Sequence, residues 1–179
     1  MALALTTAMA SQSRQGSAAQ PRVPEHFDPP RPLPDFAFFD AEGREHTVAA
    51  FAGEVLVINL WATWCPPCVA EMPTLDRLQE SLGGIGVRVL ALSQDRGGAA
   101  VVERFYARTG VRHLGIWLDP RGAAARALGA RALPTTLIVD RTGREAMRLL
   151  GEAAWDAPEM LRTIRRIAGD PDVALTRPT

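Results

Sequence analysis

The chain contains two cysteines, Cys65 and Cys68, separated only by Pro66 and Pro67. Thiols three positions apart at the start of a helix can close a disulfide without backbone movement. The free amides and positive dipole end of a helix N-terminus favour thiolate over thiol at the first of them. The pair therefore suits thiol–disulfide exchange, with Cys65 as the attacking sulfur and Cys68, one turn further in, resolving the mixed disulfide. Neither proline carries an N–H, so amide donation to the Cys65 sulfur has to come from Cys68 or beyond. No His or Lys stands in the loop to add positive charge. The expected setting is a reducing couple rather than a strong oxidant.

With both cysteines in one motif, a disulfide framework is excluded. His26, His46 and His113 are scattered along the chain, so a four-ligand structural zinc site cannot be assembled within it. No metal and no cofactor are expected beyond the cysteine pair itself.

Such a pair needs a rigid strand ahead of it and a helix behind it. Val55 to Trp61 is a continuous apolar run, the mark of a strand buried on both faces. Val69, Met72, Leu75, Leu78 and Leu82 recur at helical spacing, so a helix should begin at the motif and stop at Gly83-Gly84, kinked at Pro73. A second strand is expected at Val87 to Leu92, a helix at Ala99 to Arg108, a short strand near Gly115 to Leu118 and a helix at Arg121 to Leu128. Leu137 to Asp140 and Arg144 to Leu150 flank a tight turn and should pair antiparallel. The last helix should take Asp156 as N-cap with Glu159 three residues on, and end before Gly169. Upstream, Asp35 to Asp40 and Arg44 to Val48 flank Ala41-Glu42-Gly43 and should form a short hairpin. The order implies an α/β fold, a mixed central sheet with helices on both faces.

The 179 residues, 47% hydrophobic and 22% charged, suit one globular domain with extra segments. Basic and acidic residues number 20 each, which removes any field that would draw the chain to nucleic acid. Every basic residue is Arg and none is Lys, a compositional bias without mechanism. Residues 1–10 read as a signal-peptide remnant ending in Ala8-Met9-Ala10, and residues 11–34 as a Pro-rich extended linker. The domain should occupy 35–169 and a tail 170–179. No run approaches the roughly 18 apolar residues of a membrane span, so any tether would lie upstream of Met1.

Trp64-Cys65-Pro66-Pro67-Cys68 together with Leu133-Pro134-Thr135-Thr136 resembles the thioredoxin superfamily. Asn59 to Pro73 is more narrowly similar to its TlpA and ResA branch, and the likeness runs from about Pro34 to Ala168. The resemblance implies a thioredoxin fold with an N-terminal β-hairpin and a βα insertion. It implies that Pro134 is cis beside the cysteines, and that Leu133 offers backbone hydrogen bonds to an extended substrate. Trp64, Pro66, Pro67 and Thr135 would border the same surface, whereas Trp61 suits core packing equally well. Classical thioredoxins carry a buried acid where this chain has Asn59, which cannot take up a proton. Glu71, on the helix face of Cys68, matches an acid of the TlpA and ResA branch and is assigned to proton exchange with Cys68. The competing reading is a first-turn acid that complements the helix dipole.

The resemblance also implies a periplasmic or extracytoplasmic monomer that takes electrons from a membrane thiol donor. It would pass them to cysteine-containing exported proteins, such as apocytochrome c or copper-site assembly proteins. Besides a bare interaction module with an inert disulfide, two alternatives remain open. One is a copper metallochaperone using Cys65, Cys68 and a distal histidine, for which His113 is the candidate. The other is a thiol peroxidase of the same fold, which would need Thr and Pro where Ala62 and Ile58 stand.

Overall fold

A strand with no polar face must be covered on both sides, and that requirement organises the molecule around Val55–Trp61. The computed structural model describes residues 23–170. Its elements run β1 (Glu25–Pro32), β2 (Ala37–Asp40), β3 (Glu45–Thr47), β4 (Val55–Trp61), α1 (Pro66–Leu82), β5 (Val87–Ser93), α2 (Ala99–Thr109), β6 (Trp117–Leu118), α3 (Ala123–Ala127), β7 (Thr135–Val139), β8 (Arg144–Leu150) and α4 (Pro158–Ile167). All seven residues of β4 are buried. The signal-remnant reading of residues 1–10, the linker reading up to Arg22 and the tail reading beyond Asp170 fall outside the described residues.

The eight strands form one mixed sheet in the order β1-β8-β7-β4-β5-β6-β2-β3. β4 lies at its centre, parallel to β5 and antiparallel to β7. One face carries α1, α2 and α4 over a core that includes Val57, Trp61, Met72, Phe105, Trp155 and Ile164. The other face buries Ile58, Leu60, Leu90 and Leu137 under α3 and the hairpin residues Phe36 and Phe38. Helices on both faces of a mixed sheet, as the element order implies, are what the chain forms.

Three local expectations are corrected. Residues Glu25–Pro32, read from composition as part of a linker, are an edge strand that pairs antiparallel with β8. Proline can enter a sheet only at its margin, where a missing N–H leaves no ladder partner unpaired. The ladder is accordingly interrupted between His26 and Arg31, and the Asp28–Pro29 bond is cis. Arg31 fastens the strand, its Nε 2.8 Å from Glu145 Oε2 and its guanidinium over the Phe27 ring.

The last helix is capped at Ala157 rather than Asp156, because Pro158 with its fixed φ occupies the first helical position. Asp156 instead accepts a 2.6 Å hydrogen bond from Arg77 Nε of α1. Gly169 follows the helix end at φ 68°, a conformation that suits glycine. Finally, β7 starts at Thr135, two residues earlier than the turn signals suggested, since partners on both sides, Leu60 and Leu150, extend it.

Pro73 lies inside α1, which runs unbroken from Pro66 to Leu82. Its ring faces solvent, so the missing donor falls on the exposed side of the helix. The hairpin of β2 and β3 forms as read but docks at the far edge of the sheet, where β2 pairs with β6.

Candidate active site

β4 ends at Trp61, and the chain turns over Ala62–Trp64 into α1, with Cys65 N donating to Ala62 O at 3.2 Å. Cys65 is the N-cap of α1 in an extended conformation, and Pro66 and Pro67 fill the first helical positions. Cys65 and Cys68 are joined in a disulfide with their Cα atoms 5.3 Å apart. The two sulfur-bearing residues are not equivalent: Cys65 keeps 5% of its surface open and Cys68 none. An incoming sulfur can therefore approach Cys65 alone. Trp64 beside it is 67% exposed, and Pro66 is exposed with Pro67 half-buried. Trp61, by contrast, is core: fully buried, it donates from Nε1 to Ala91 O and packs against Phe105 and Tyr106.

The loop is clamped by a residue that the sequence reading did not single out. Asp95, nearly buried just beyond β5, accepts from Thr63 N at 2.9 Å, Thr63 Oγ1 at 2.7 Å and Ser93 Oγ at 2.9 Å. One carboxylate thus ties the approach to Cys65 to the end of the neighbouring strand. The available signal was Ser93-Gln94-Asp95 directly after an apolar strand, a polar cluster where the sheet meets the motif. Replacing Asp95 with Ala strands those donors and should cost about 2–4 kcal/mol, read from urea unfolding of the oxidised protein. A loss below about 0.5 kcal/mol would show that water replaces the clamp.

Leu133–Pro134 is cis, as the resemblance implied. Leu60 pairs with Thr135, and continuing that register by one residue sets Pro134 opposite Trp61, four residues before Cys65. Leu133 packs against the core cluster that contains both cysteines. Pro134 O accepts from Gly151 N at 2.7 Å, and Thr135 Oγ1 donates to Ala132 O. Among the described residues, the backbone N–H and C=O of Leu133 make no hydrogen bond.

Glu71 lies in the second turn of α1 and is only 2% exposed, so its carboxylate is not the first-turn acid of the competing reading. Asn59 Nδ2 donates to its Oε1 at 2.7 Å, and Trp155 Nε1 and Ala153 N donate to its Oε2 at 2.9 and 3.1 Å. Asn59 also donates to Thr136 Oγ1 at 2.8 Å. Burial pushes the Glu71 carboxyl up to about 7 despite these three donors, with the nearby charge of Glu152 adding to the rise. Trp155 and Ala153 were missed in the sequence, and Thr136 entered only as part of the Leu133-Pro134-Thr135-Thr136 motif, with no role of its own. Only Trp155 offered a signal, a tryptophan in a short polar stretch between the last strand and helix.

His113 stands in the loop after α2 with its Nε2 3.6 Å from Glu80 Oε1, and nothing ties it to the cysteines. Among the described residues no three His, Cys, Asp or Glu side chains converge as metal ligands would. Ala62 and Ile58 are buried apolar positions without a hydroxyl. A cavity of about 610 Å³, lined by Leu33, Phe36, Phe51 and Arg141 among others, opens at the opposite end of β4 from the cysteines.

A central mixed sheet, a disulfide across the first turn of a helix that follows its middle strand, and a cis-proline loop beside that strand define a thioredoxin-superfamily protein with a redox-capable cysteine pair. Residues 30–163 match the Redoxin family model. The chain belongs to the Redoxin family, as a TlpA/ResA-like member.

Among its relatives is the thiol-disulfide oxidoreductase ResA of Geobacillus thermodenitrificans, 36% identical over 62% of this chain and 63% of that protein. Another is a thiol:disulfide interchange protein DsbE homolog of Paracoccus denitrificans, 40% identical over 54% of this chain and 51% of that one. The chain thus spans a little under two thirds of the first relative and about half of the second. A secreted thiol-disulfide isomerase from Corynebacterium glutamicum shares the fold at a TM-score of 0.69 and 22% identity, covering 88% of this chain and 99% of its own.

Proposed function

We propose that this chain is a thiol–disulfide oxidoreductase that reduces disulfides of exported proteins outside the cytoplasm. The observation that carries the reading is the asymmetry of the bonded pair, with Cys65 reachable at the mouth of α1 and Cys68 enclosed behind it. In the reduced protein, the Cys65 thiolate attacks one sulfur of a substrate disulfide, and the other substrate sulfur leaves as a thiolate. Cys68 then gives its proton to Glu71 and attacks the Cys65 sulfur, which releases the second substrate thiol. Two electrons have passed to the substrate and the chain is left with the disulfide seen here. A membrane thiol donor restores the dithiol.

The free backbone groups of Leu133 suit an extended substrate segment laid beside Pro134, and the exposed Trp64 gives it an apolar surface. Pro66 and Pro67 border this strip, whereas Thr135, expected there, is fully buried with its hydroxyl bonded to Ala132 O. The names of the relatives support the chemistry, and the secreted neighbour supports an extracytoplasmic setting. Apocytochrome c before haem attachment and cysteine pairs of copper-site assembly proteins are the substrates we favour. The chain works as a monomer in this scheme, tethered or free; no helix among the described residues is long and apolar enough to cross a membrane.

Equilibration with glutathione buffers tests the direction of electron flow. The expected potential lies nearer the value of about −270 mV of thioredoxin than the value of about −120 mV of a strong oxidase. A result close to the latter would make the protein a donor of disulfides instead.

A further inference from the structure

The two oxygens of Glu71 are held differently. Among the described residues, Oε2 receives two donors, Trp155 Nε1 and Ala153 N, whereas Oε1 receives only Asn59 Nδ2. Glu71 is 2% exposed, and Asn59 and Trp155 are fully buried, so water does not even out the difference. An oxygen that already accepts two N–H groups has little electron density left for a proton. A proton arriving at this carboxylate therefore belongs on Oε1. There it would meet the Asn59 NH₂, donor against donor.

Asn59 has the means to answer. Its Oδ1 is buried without a partner among the described residues. A half-turn of the amide would present that oxygen to the Oε1 proton. Thr136 Oγ1, which now accepts from Nδ2, has a hydroxyl hydrogen to give to Oδ1 in return. The unpaired atom of the ionised state becomes the acceptor of the protonated one.

We propose that Trp155 is a positioning residue that confines the exchangeable proton of Glu71 to Oε1, where Asn59 receives its hydrogen bond by turning its amide over. Other ionisable groups acting on the site are Glu152 in the same loop as Trp155 and, once reduced, the Cys68 thiol one turn earlier in α1. The strands β4 and β7 present the neutral Asn59 and Thr136. The consequence for the reaction rests on the proposed exchange of a proton between Glu71 and Cys68; the positioning itself does not.

The experiment uses the oxidised protein, in which the cysteines do not titrate, labelled with ¹³C at glutamate carboxyls and ¹⁵N at indole and side-chain amide nitrogens. In the wild type, the Trp155 Nε1–H and Asn59 Nδ2 resonances should move with the same midpoint as the Glu71 carboxyl, and both should stay still in Glu71→Gln. Trp155→Phe keeps an aromatic ring in the core but removes the donor. It should raise the Glu71 midpoint by about one pH unit, a tenfold gain in proton affinity. An indole that ignores pH through the Glu71 transition overturns the inference without any variant. So does an unmoved midpoint in folded Trp155→Phe. The pH profile of insulin disulfide reduction separates the two levels: a shifted carboxyl with an unshifted profile leaves Trp155 in its role and removes Glu71 from the reaction.

Discussion

Replacing Cys65 with Ser is expected to lower insulin disulfide reduction by on the order of a thousandfold or more, while Cys68→Ala should stop turnover and accumulate a mixed disulfide. The two effects differ because the two positions differ. Cys65 retains an open sliver of surface at the N-cap of α1, and Cys68 has none. A hydroxyl at residue 65 is a far poorer nucleophile toward sulfur than a thiolate, so the first bond never forms. Without Cys68 the first bond forms but nothing resolves it, since the enclosed position behind residue 65 then holds only a methyl group. Mass spectrometry of the trapped Cys68→Ala adduct would name the substrate. Substantial reductase activity in Cys65→Ser, or trapping by Cys65→Ala in place of Cys68→Ala, would reverse the assignment of roles.

The second large effect is in the pH dependence of stability. The Glu71 carboxyl is raised from 4.5 to about 7 by burial, so the folded protein holds a proton there that the unfolded chain has released. The native state binds more protons than the unfolded one between these values, and stability must fall as pH rises. The contribution is fully present below about pH 4.5, declines through the window to about pH 7 and is flat above it. A rise of this size corresponds to about 3 kcal/mol. Glu71→Gln should erase that slope and leave the oxidised variant more stable than wild type at pH 8. The substituted amide can keep accepting from Trp155 and Ala153 through its oxygen, and its NH₂ can donate to Asn59 Oδ1 once the Asn59 amide, which now points its Nδ2 at this position, turns over. Urea unfolding of the oxidised proteins from pH 4.5 to 8 measures this. Parallel curves for the two proteins would mean that Glu71 ionises as freely in the fold as out of it.

The environment of Glu71 also shows why the site was only partly legible. Glu71 could be picked out by its place one turn after Cys68 and by its likeness to an acid of the TlpA and ResA branch. Its elevated affinity for a proton could not, because the donors and the walls that desolvate it come from Asn59, Ala153 and Trp155, the last 84 positions away. The clamp by Asp95 was hidden for the same reason, lying 32 positions from Thr63. The edge strand β1 was misjudged because prolines mark both linkers and sheet margins, and only the presence of β8 beside it distinguishes the two. Asp156 looked like a cap until Pro158 and Arg77 gave it another position and another partner.

The cis proline came from the family resemblance, while local pattern was enough for the redox motif, the buried central strand and the helix that follows. Each of these depends on neighbours a few residues apart: the spacing of two thiols, the period of an apolar face, the φ that proline imposes. Tertiary structure alone decided how completely the second sulfur is enclosed, where the Glu71 proton is held and what anchors the loop ahead of Cys65. Those properties are sums over atoms brought together by folding, through exclusion of water and hydrogen bonds across the sheet. No stretch of the chain carries them by itself.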